Sequence, residues 1–124
     1  MNSASFSVKQ YKDSIYRGEI HSKTLKRHGK GVVVYDTGRV YEGSWKKDKR
    51  YGNGYELYAN GNCYQGTYRE GKPNGKGLYT WRNGEKYEGE FRVGLKEGHG
   101  LWKGTKGDSY LGTWLGNKAH GYGV

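Results

Sequence analysis

The chain has 124 residues, a formal net charge of +10 at neutral pH and only 32% hydrophobic residues. This length allows one domain at most, and so few hydrophobic residues with so high a charge would be typical of a disordered chain. Because the 13 tyrosines, four tryptophans and two phenylalanines recur at repeated positions, we instead predict a folded array in which each repeat is stabilised by its neighbours.

The first segment, residues 1–15, lacks the regular glycines of the rest of the chain. Its sequence FSVKQY, followed by KDS and YRGEI, predicts a degenerate hairpin, since terminal repeats of an array are atypical. We therefore predict that residues 1–15 form a partly disordered cap, with residues 1–5 loose.

A repeat begins at Tyr16 and fills the remainder of the chain. Its opening recurs as YEGSW at Tyr41, YQGTY at Tyr64, YEGEF at Tyr87 and YLGTW at Tyr110. The first copy, YRGEI, has an inter-strand loop two residues longer than the others. Residues 16–124 are thus predicted to be an array of about four full repeats and a partial fifth, built from stacked units.

Glycines at fixed positions predict the hairpins. Turns such as YANGN at 58–62 and WRNGE at 81–85 fit a three-residue loop that ends in a left-handed glycine. The resulting register places Gly77 opposite Gly89, with Tyr79 opposite Tyr87 on the same face. The corresponding glycine pairs in the other copies are Gly31–Gly43, Gly54–Gly66 and Gly100–Gly112.

The predicted fold is all-β: an elongated single-layer antiparallel sheet of stacked β-hairpins, without helices. Five copies would span roughly 45–50 Å at the usual strand spacing. One face carries aromatic rings beside bare glycine pairs, and the rings can cover those glycines. The other face is mixed, with Val34 opposite Val40 and Lys76 opposite Glu90.

The spacing YxGxWxxxxxxGxGxxxxxxGxxY resembles the membrane occupation and recognition nexus (MORN) repeat over residues 16–124. The resemblance implies a gently twisted single-layer sheet, often with a groove along one face. The resemblance extends to repeat arrays of axonemes, protist cytoskeletal scaffolds, lipid-kinase accessory regions and membrane-junction proteins. The fold therefore does not settle the function.

A groove with a glycine floor and aromatic sides is the first candidate site, because an extended or helical partner could lie along it. The predicted partner-groove residues are Tyr41, Trp45, Tyr64, Tyr68, Tyr79, Tyr87, Phe91, Trp102, Tyr110 and Trp114. A purely structural role for these rings is the alternative.

Basic residues in the loops between hairpins form the second candidate site. The predicted basic edge consists of Lys23, Lys26, Arg27, Lys46, Lys47, Lys49, Arg50, Arg69, Lys72, Arg92, Lys96 and Lys118. It either keeps a solvated edge soluble or attracts an acidic protein or an anionic lipid surface. Nucleic acid is an unlikely partner, since the rings that could stack on bases are committed to glycines.

No catalytic, metal or cofactor site is predicted. The four histidines are scattered, and the repeated GxG lacks the third glycine and helix of a dinucleotide site. Cys63 is expected to be a half-buried thiol opposite Leu57, and a single cysteine suits a reducing compartment.

These observations predict a non-enzymatic, cytoplasmic scaffold that docks proteins in a cilium axoneme or another microtubule cytoskeleton. The alternative is a peripheral membrane adaptor that binds anionic phosphoinositides through the basic loops. The glycine-rich end, residues 121–124, is also predicted to pair with a second copy or a neighbouring strand, unless further repeats follow.

Overall fold

The computed structural model describes residues 4–124 as one open antiparallel sheet in which eleven strands follow one another in chain order. The described residues contain no helix, so the predicted all-β single layer is confirmed. None of their elements is a helix long and apolar enough to cross a membrane. The strands are β1 (Ala4–Gln10), β2 (Ser14–His21), β3 (Arg27–Tyr35), β4 (Val40–Lys46), β5 (Lys49–Leu57), β6 (Cys63–Arg69), β7 (Lys72–Thr80), β8 (Lys86–Arg92), β9 (Leu95–Lys103), β10 (Ser109–Leu115) and β11 (Lys118–Gly123).

The predicted register is confirmed in each copy. Gly77 pairs with Gly89 and Tyr79 with Tyr87 between β7 and β8. The other predicted glycine pairs are also observed: Gly31–Gly43, Gly54–Gly66 and Gly100–Gly112. The turns and the loops between the strands consequently lie along two long edges of the sheet, here called the turn edge (36–39, 58–62, 81–85 and 104–108) and the loop edge (22–26, 47–48, 70–71, 93–94 and 116–117).

At the amino-terminal end, β1 pairs with β2 along its whole length. The prediction that residues 1–5 are loose is wrong for Ala4 and Ser5, which pair with His21 and Ile20. Residues 1–3 lie outside the described part of the chain. Strand β1 therefore extends the sheet without the glycine framework. It is held by backbone pairing with β2, while its side chains Phe6 and Val8 are exposed.

At the other end, β11 begins at Lys118, three residues before the predicted stub at 121–124. It pairs with β10 through Leu115–Lys118, Trp114–Ala119 and Gly112–Gly123. Pairing of β11 with another chain stays a prediction.

Each strand pair that meets at the loop edge contains a bulge, in which one residue of the first strand lies opposite three residues of the second. Between β6 and β7, for example, the register shifts between Gly66 and Tyr68, so Thr67 is left out of the pairing. The hydroxyl of Tyr64 donates a hydrogen bond to the Thr67 carbonyl at 2.9 Å. The same bond, from the repeat tyrosine to the carbonyl three residues later, forms in every copy. The tyrosine hydroxyl therefore satisfies a carbonyl that the bulge frees.

Removing one of these hydroxyls is expected to destabilise the sheet. Tyr64→Phe keeps the ring but leaves the Thr67 carbonyl without its donor, which should cost about 1–2 kcal/mol in the free energy of unfolding. Tyr110→Phe is the matched control, because the Tyr110 bond to Thr113 is already long at 3.4 Å. Urea unfolding measures both variants. Equal losses would show that the hydroxyl does not stabilise the bulge.

The core is a continuous row of aromatic rings on one face, which we call the aromatic row: Tyr16, Trp45, Tyr41, Tyr68, Tyr64, Phe91, Tyr87, Trp114 and Tyr110. Neighbouring rings meet edge to face, with centroids 5.0 Å apart in both Tyr41–Tyr68 and Tyr64–Phe91. This geometry is favourable for aromatic pairs. Because one ring pair joins each repeat to the next (Tyr16–Trp45, Tyr41–Tyr68, Tyr64–Phe91 and Tyr87–Trp114), the row supplies the inter-repeat stabilisation that the aliphatic residues are too few to give.

Burial makes the aromatic row sensitive to alkaline pH. Loss of solvent raises the pKa of Tyr16 and Tyr87 to about 12, from an ordinary value of 10.0. Because the neutral tyrosine is favoured in the folded state, this contribution to stability is complete below pH 10 and is lost as the pH rises to about 12.

We therefore expect ionisation and unfolding to coincide in that pH range. Tyrosinate absorbance and circular dichroism recorded together through the alkaline titration check this. Ionisation of these rings well before the loss of the sheet signal would contradict it.

Candidate docking groove

A groove runs along the face opposite the aromatic row, and we call this the groove face. It is lined by residues from β1 to β9 and encloses a volume of about 1480 Å³. Its floor is the line of paired glycines, among them Gly43, Gly54, Gly66 and Gly77. A glycine leaves the backbone bare on both faces of a sheet. Since rings cover one face, the bare backbone is open only on the other.

The rings cover the glycines closely. A Cβ atom added to Gly54 would lie 2.6 Å from Cε1 of Tyr41, and one added to Gly66 would lie 2.6 Å from the Lys76 carbonyl oxygen. Real Cβ atoms essentially never come so close. Glycine is thus required at these positions, because any larger side chain would collide with the rings of the aromatic face.

The wall of the groove toward the turn edge is apolar at regular intervals. Val32, Tyr55 and Leu78 line it from β3, β5 and β7, and the register places Leu101 of β9 in the same row. We call these four residues the anchor row. Tyr55 is 42% exposed, so apolar surface is accessible to a partner.

Charged and polar residues alternate with the anchors. Glu42 pairs with Val32 and Tyr55, Gln65 with Tyr55 and Leu78, and Glu88 with Leu78 and Leu101. Glu42, Gln65 and Glu88 are all exposed. Carboxylates therefore stand between apolar anchors along one wall.

The opposite wall, toward the loop edge, is polar. Lys30 donates a hydrogen bond from Nζ to Oγ of Ser44 at 2.8 Å, and Lys76 faces Glu90 across the strands. Asn53 and His99 complete this wall. The groove is therefore amphipathic across its width, with an apolar wall and a polar one.

The aromatic residues predicted to line a partner groove lie on the other face. Six of the ten are in the core, with exposed fractions of 6% or less: Tyr41, Trp45, Tyr64, Tyr68, Tyr87 and Phe91. A partner cannot contact these six, because neighbouring rings cover them. Tyr79, Trp102, Tyr110 and Trp114 are half-buried on the same aromatic face. The sequence analysis predicted that the rings form the sides of a groove above the glycines. In the structure the rings lie directly on the glycines, and the groove is on the opposite face of the sheet.

Three residues of the predicted basic edge are likewise inside the sheet's aromatic face. The guanidinium of Arg27 lies 4.4 Å from the Trp45 ring centroid and pairs with Asp48 at 2.6 Å. Arg50 lies 5.1 Å from the Tyr41 ring, and Lys96 lies 5.0 Å from the Trp81 ring. Burial lowers the pKa of Lys96. These cations stabilise rings and are not free for an acidic partner.

The remaining basic-edge residues are exposed, as predicted: Lys23, Lys26, Lys46, Lys47, Lys49, Arg69, Lys72, Arg92 and Lys118. Two of them are in exposed ion pairs, Lys49 with Glu70 and Arg92 with Glu97. The others carry the positive charge of the loop edge.

A buried carboxylate on the aromatic face was missed by the sequence reasoning. Glu56 is 1% exposed and accepts a hydrogen bond from the Tyr68 hydroxyl at 2.8 Å. Arg39 also donates to Glu56, and Arg50 lies 3.7 Å from it. The sequence did contain a signal for it, because Glu56 is a charged residue at a repeat position that holds Val33, Tyr79 and Trp102 in the other copies.

Cys63 is half-buried and pairs with Leu57, as predicted. Its Sγ accepts a hydrogen bond from the hydroxyl of Tyr55 at 3.3 Å, which orients that anchor. Over the described range, 4–124, no three His, Cys, Asp or Glu side chains cluster as a metal site would require.

Comparison with known proteins gives one family. The sequence model described as MORN repeat matches residues 26–38, 41–63, 64–86, 87–109 and 110–124. A search of curated proteins found no match. The matched copies begin at the same tyrosines as the structural repeats, except that the first match starts at residue 26, within the long loop that follows β2.

Proposed function

The chain belongs to the MORN repeat family, and on this premise we propose that it is a non-enzymatic scaffold that docks a partner protein in the groove. Repeats of this family suggest a protein-binding or membrane-association module. The observation that carries the proposal is the amphipathic groove itself, whose anchors are exposed or half-buried, whereas seven of the nine rings of the aromatic row are buried. We further propose a cytoplasmic location in a cilium or another microtubule cytoskeleton, as the sequence resemblance implies.

Several features support docking in the groove rather than on the aromatic face. Ligand sites are usually concave and apolar, with a few polar groups that orient the ligand, and the groove has this composition. Its shape is fixed by glycine pairs and buried rings, so little ordering is required on binding. The partner would therefore meet a surface that is already formed.

Substitution of anchors tests the proposal. Tyr55→Ser and Leu78→Ser should each weaken capture of partner proteins from a ciliary or cytoskeletal extract by about tenfold, because each removes apolar area from the contact. Leu95→Ser is the matched control, since Leu95 is also 42% exposed but lies outside the groove lining. Equal capture by all three variants would refute docking in the groove.

The membrane alternative rests on Lys46 and Lys47, which are adjacent and exposed on the loop edge. Each basic residue near an anionic surface contributes about 1 kcal/mol. Sedimentation of the same protein with phosphoinositide vesicles at low and physiological salt distinguishes the two functions. Binding that persists at physiological salt and is lost in Lys46→Ala/Lys47→Ala would favour the adaptor.

A further inference from the structure

The anchor row has a regular spacing that constrains what can lie along it. Its residues occupy alternate strands β3, β5, β7 and β9, and alternate strands are about 9.6 Å apart. The row from Val32 to Leu101 is therefore about 29 Å long. A ligand that uses all four anchors must present an apolar side chain about every 9.6 Å.

A polyproline II segment matches this spacing best. Three of its residues advance about 9.3 Å and return the side chain to the same face, so the accumulated error over three intervals is about 1 Å. Seven residues of an α-helix advance about 10.5 Å, which gives an error of about 3 Å over the same distance. In a β-strand, every third residue changes face and cannot reach the wall each time.

The polar groups of the groove suit such a ligand. Polyproline II makes no internal hydrogen bonds, so its carbonyl groups need donors. The exposed amides of Asn53 and Gln65 line opposite walls and can supply them. No hydrogen bond to either amide side chain is formed within the described residues.

The charges indicate a basic ligand. Glu42 and Glu88 stand on the anchor wall, and neither forms an ion pair with any residue between 4 and 124. On the other wall, Lys30 donates a hydrogen bond to Ser44, and Lys76 lies opposite Glu90 in the strand register, so these cations stand apart from the carboxylates of the anchor wall. Arg17 lies at the amino-terminal end of the groove, before the first anchor.

We propose that the groove binds an extended polyproline II segment of a partner protein, with an apolar residue at every third position and a basic residue beside it. This inference rests on the proposed docking function and names the chemistry of the partner.

The test uses synthetic peptides and the full chain. The main probe is a fluorescent peptide of four Leu-Pro-Lys triplets, about 37 Å long as polyproline II. Three controls accompany it: a scramble of the same composition without the three-residue period, a Leu-Pro-Glu version, and a Leu/Lys/Ala helix with leucine at heptad spacing. Anisotropy titrations are made on the wild type, Leu78→Ser, Leu95→Ser and Glu42→Gln/Glu88→Gln.

The Leu-Pro-Lys peptide is expected to bind at least about tenfold more tightly than the scramble, and Leu78→Ser should remove that difference while Leu95→Ser preserves it. It should also bind more tightly than the Leu-Pro-Glu peptide. Because the protein carries a net charge of +10, non-specific attraction would favour the acidic version. The double glutamine variant should lose the basic preference.

The inference would be overturned if the Leu-Pro-Lys peptide bound no more tightly than its scramble, or no more tightly than the Leu-Pro-Glu peptide. Tighter binding of the helical peptide, lost in Leu78→Ser, would overturn it while leaving the docking function intact. If no peptide binds, the inference fails, and the extract capture by the anchor variants still decides docking by itself.

Discussion

Replacing Gly77 with alanine is expected to destabilise the array by about 3 kcal/mol or more, a large effect for the addition of one methyl group. The new Cβ would overlap the hydroxyl of Tyr64 and lie 2.6 Å from Cζ of the same ring. Tyr64 is fully buried between Tyr68 and Phe91, at centroid distances of 5.2 and 5.0 Å. The ring cannot move without losing both contacts and its bond to the Thr67 carbonyl.

The size of this effect distinguishes steric overlap from backbone strain. Gly107→Ala is the control, because Gly107 has a φ of +86° but no heavy atom within 4 Å of an added Cβ. Only strain applies there, and the expected loss is about 1 kcal/mol. Chemical denaturation measures both variants. If Gly77→Ala costs no more than Gly107→Ala, the rings do not pack on the glycines as described.

The second large effect is expected at the buried carboxylate. Glu56→Val should cost about 3 kcal/mol or more, even though the first repeat has Val33 at the equivalent position. Arg50, only 14% exposed, would lose the charge that faces it, and the Tyr68 hydroxyl would lose its acceptor. Arg39 is 40% exposed and can turn toward water, so most of the loss should come from Arg50.

A double variant tests that explanation. Glu56→Val/Arg50→Leu removes both charges and should be clearly more stable than Glu56→Val alone, since replacing a buried pair costs less than breaking it. Lys49→Ala serves as the control, because the Lys49–Glu70 pair is exposed and its loss should change stability by about 0.5 kcal/mol at most. Additive losses at Glu56 and Arg50 would refute a coupled buried pair.

The sequence by itself determined the fold and the register. Side chains alternate strictly across a sheet, so a 23-residue repeat with glycine at constant offsets has only one pairing that aligns Gly77 with Gly89 and Tyr79 with Tyr87. The turns specify the same pairing, because a three-residue loop that ends in a glycine of positive φ determines which residues face each other across the hairpin. Gly61 and Gly84, at +93° and +100°, have it. These constraints act within one or two neighbouring strands, and a local pattern is enough to specify them.

Only the tertiary structure decided which face is open. The sequence could not show whether the rings stand beside the glycine pairs and leave them open, or pack on top of them and cover them. The rings of adjacent repeats pack edge to face, as Tyr41 does with Tyr68, and they cover the glycine pairs on that face. The same packing determines that Arg27, Arg50 and Lys96 cover rings of the aromatic face, whereas Lys47 stays in solvent. The solvent exposure of each side chain depends on its contacts with side chains of other repeats. Those contacts depend on three-dimensional distances, which the spacing of residues in the sequence does not give.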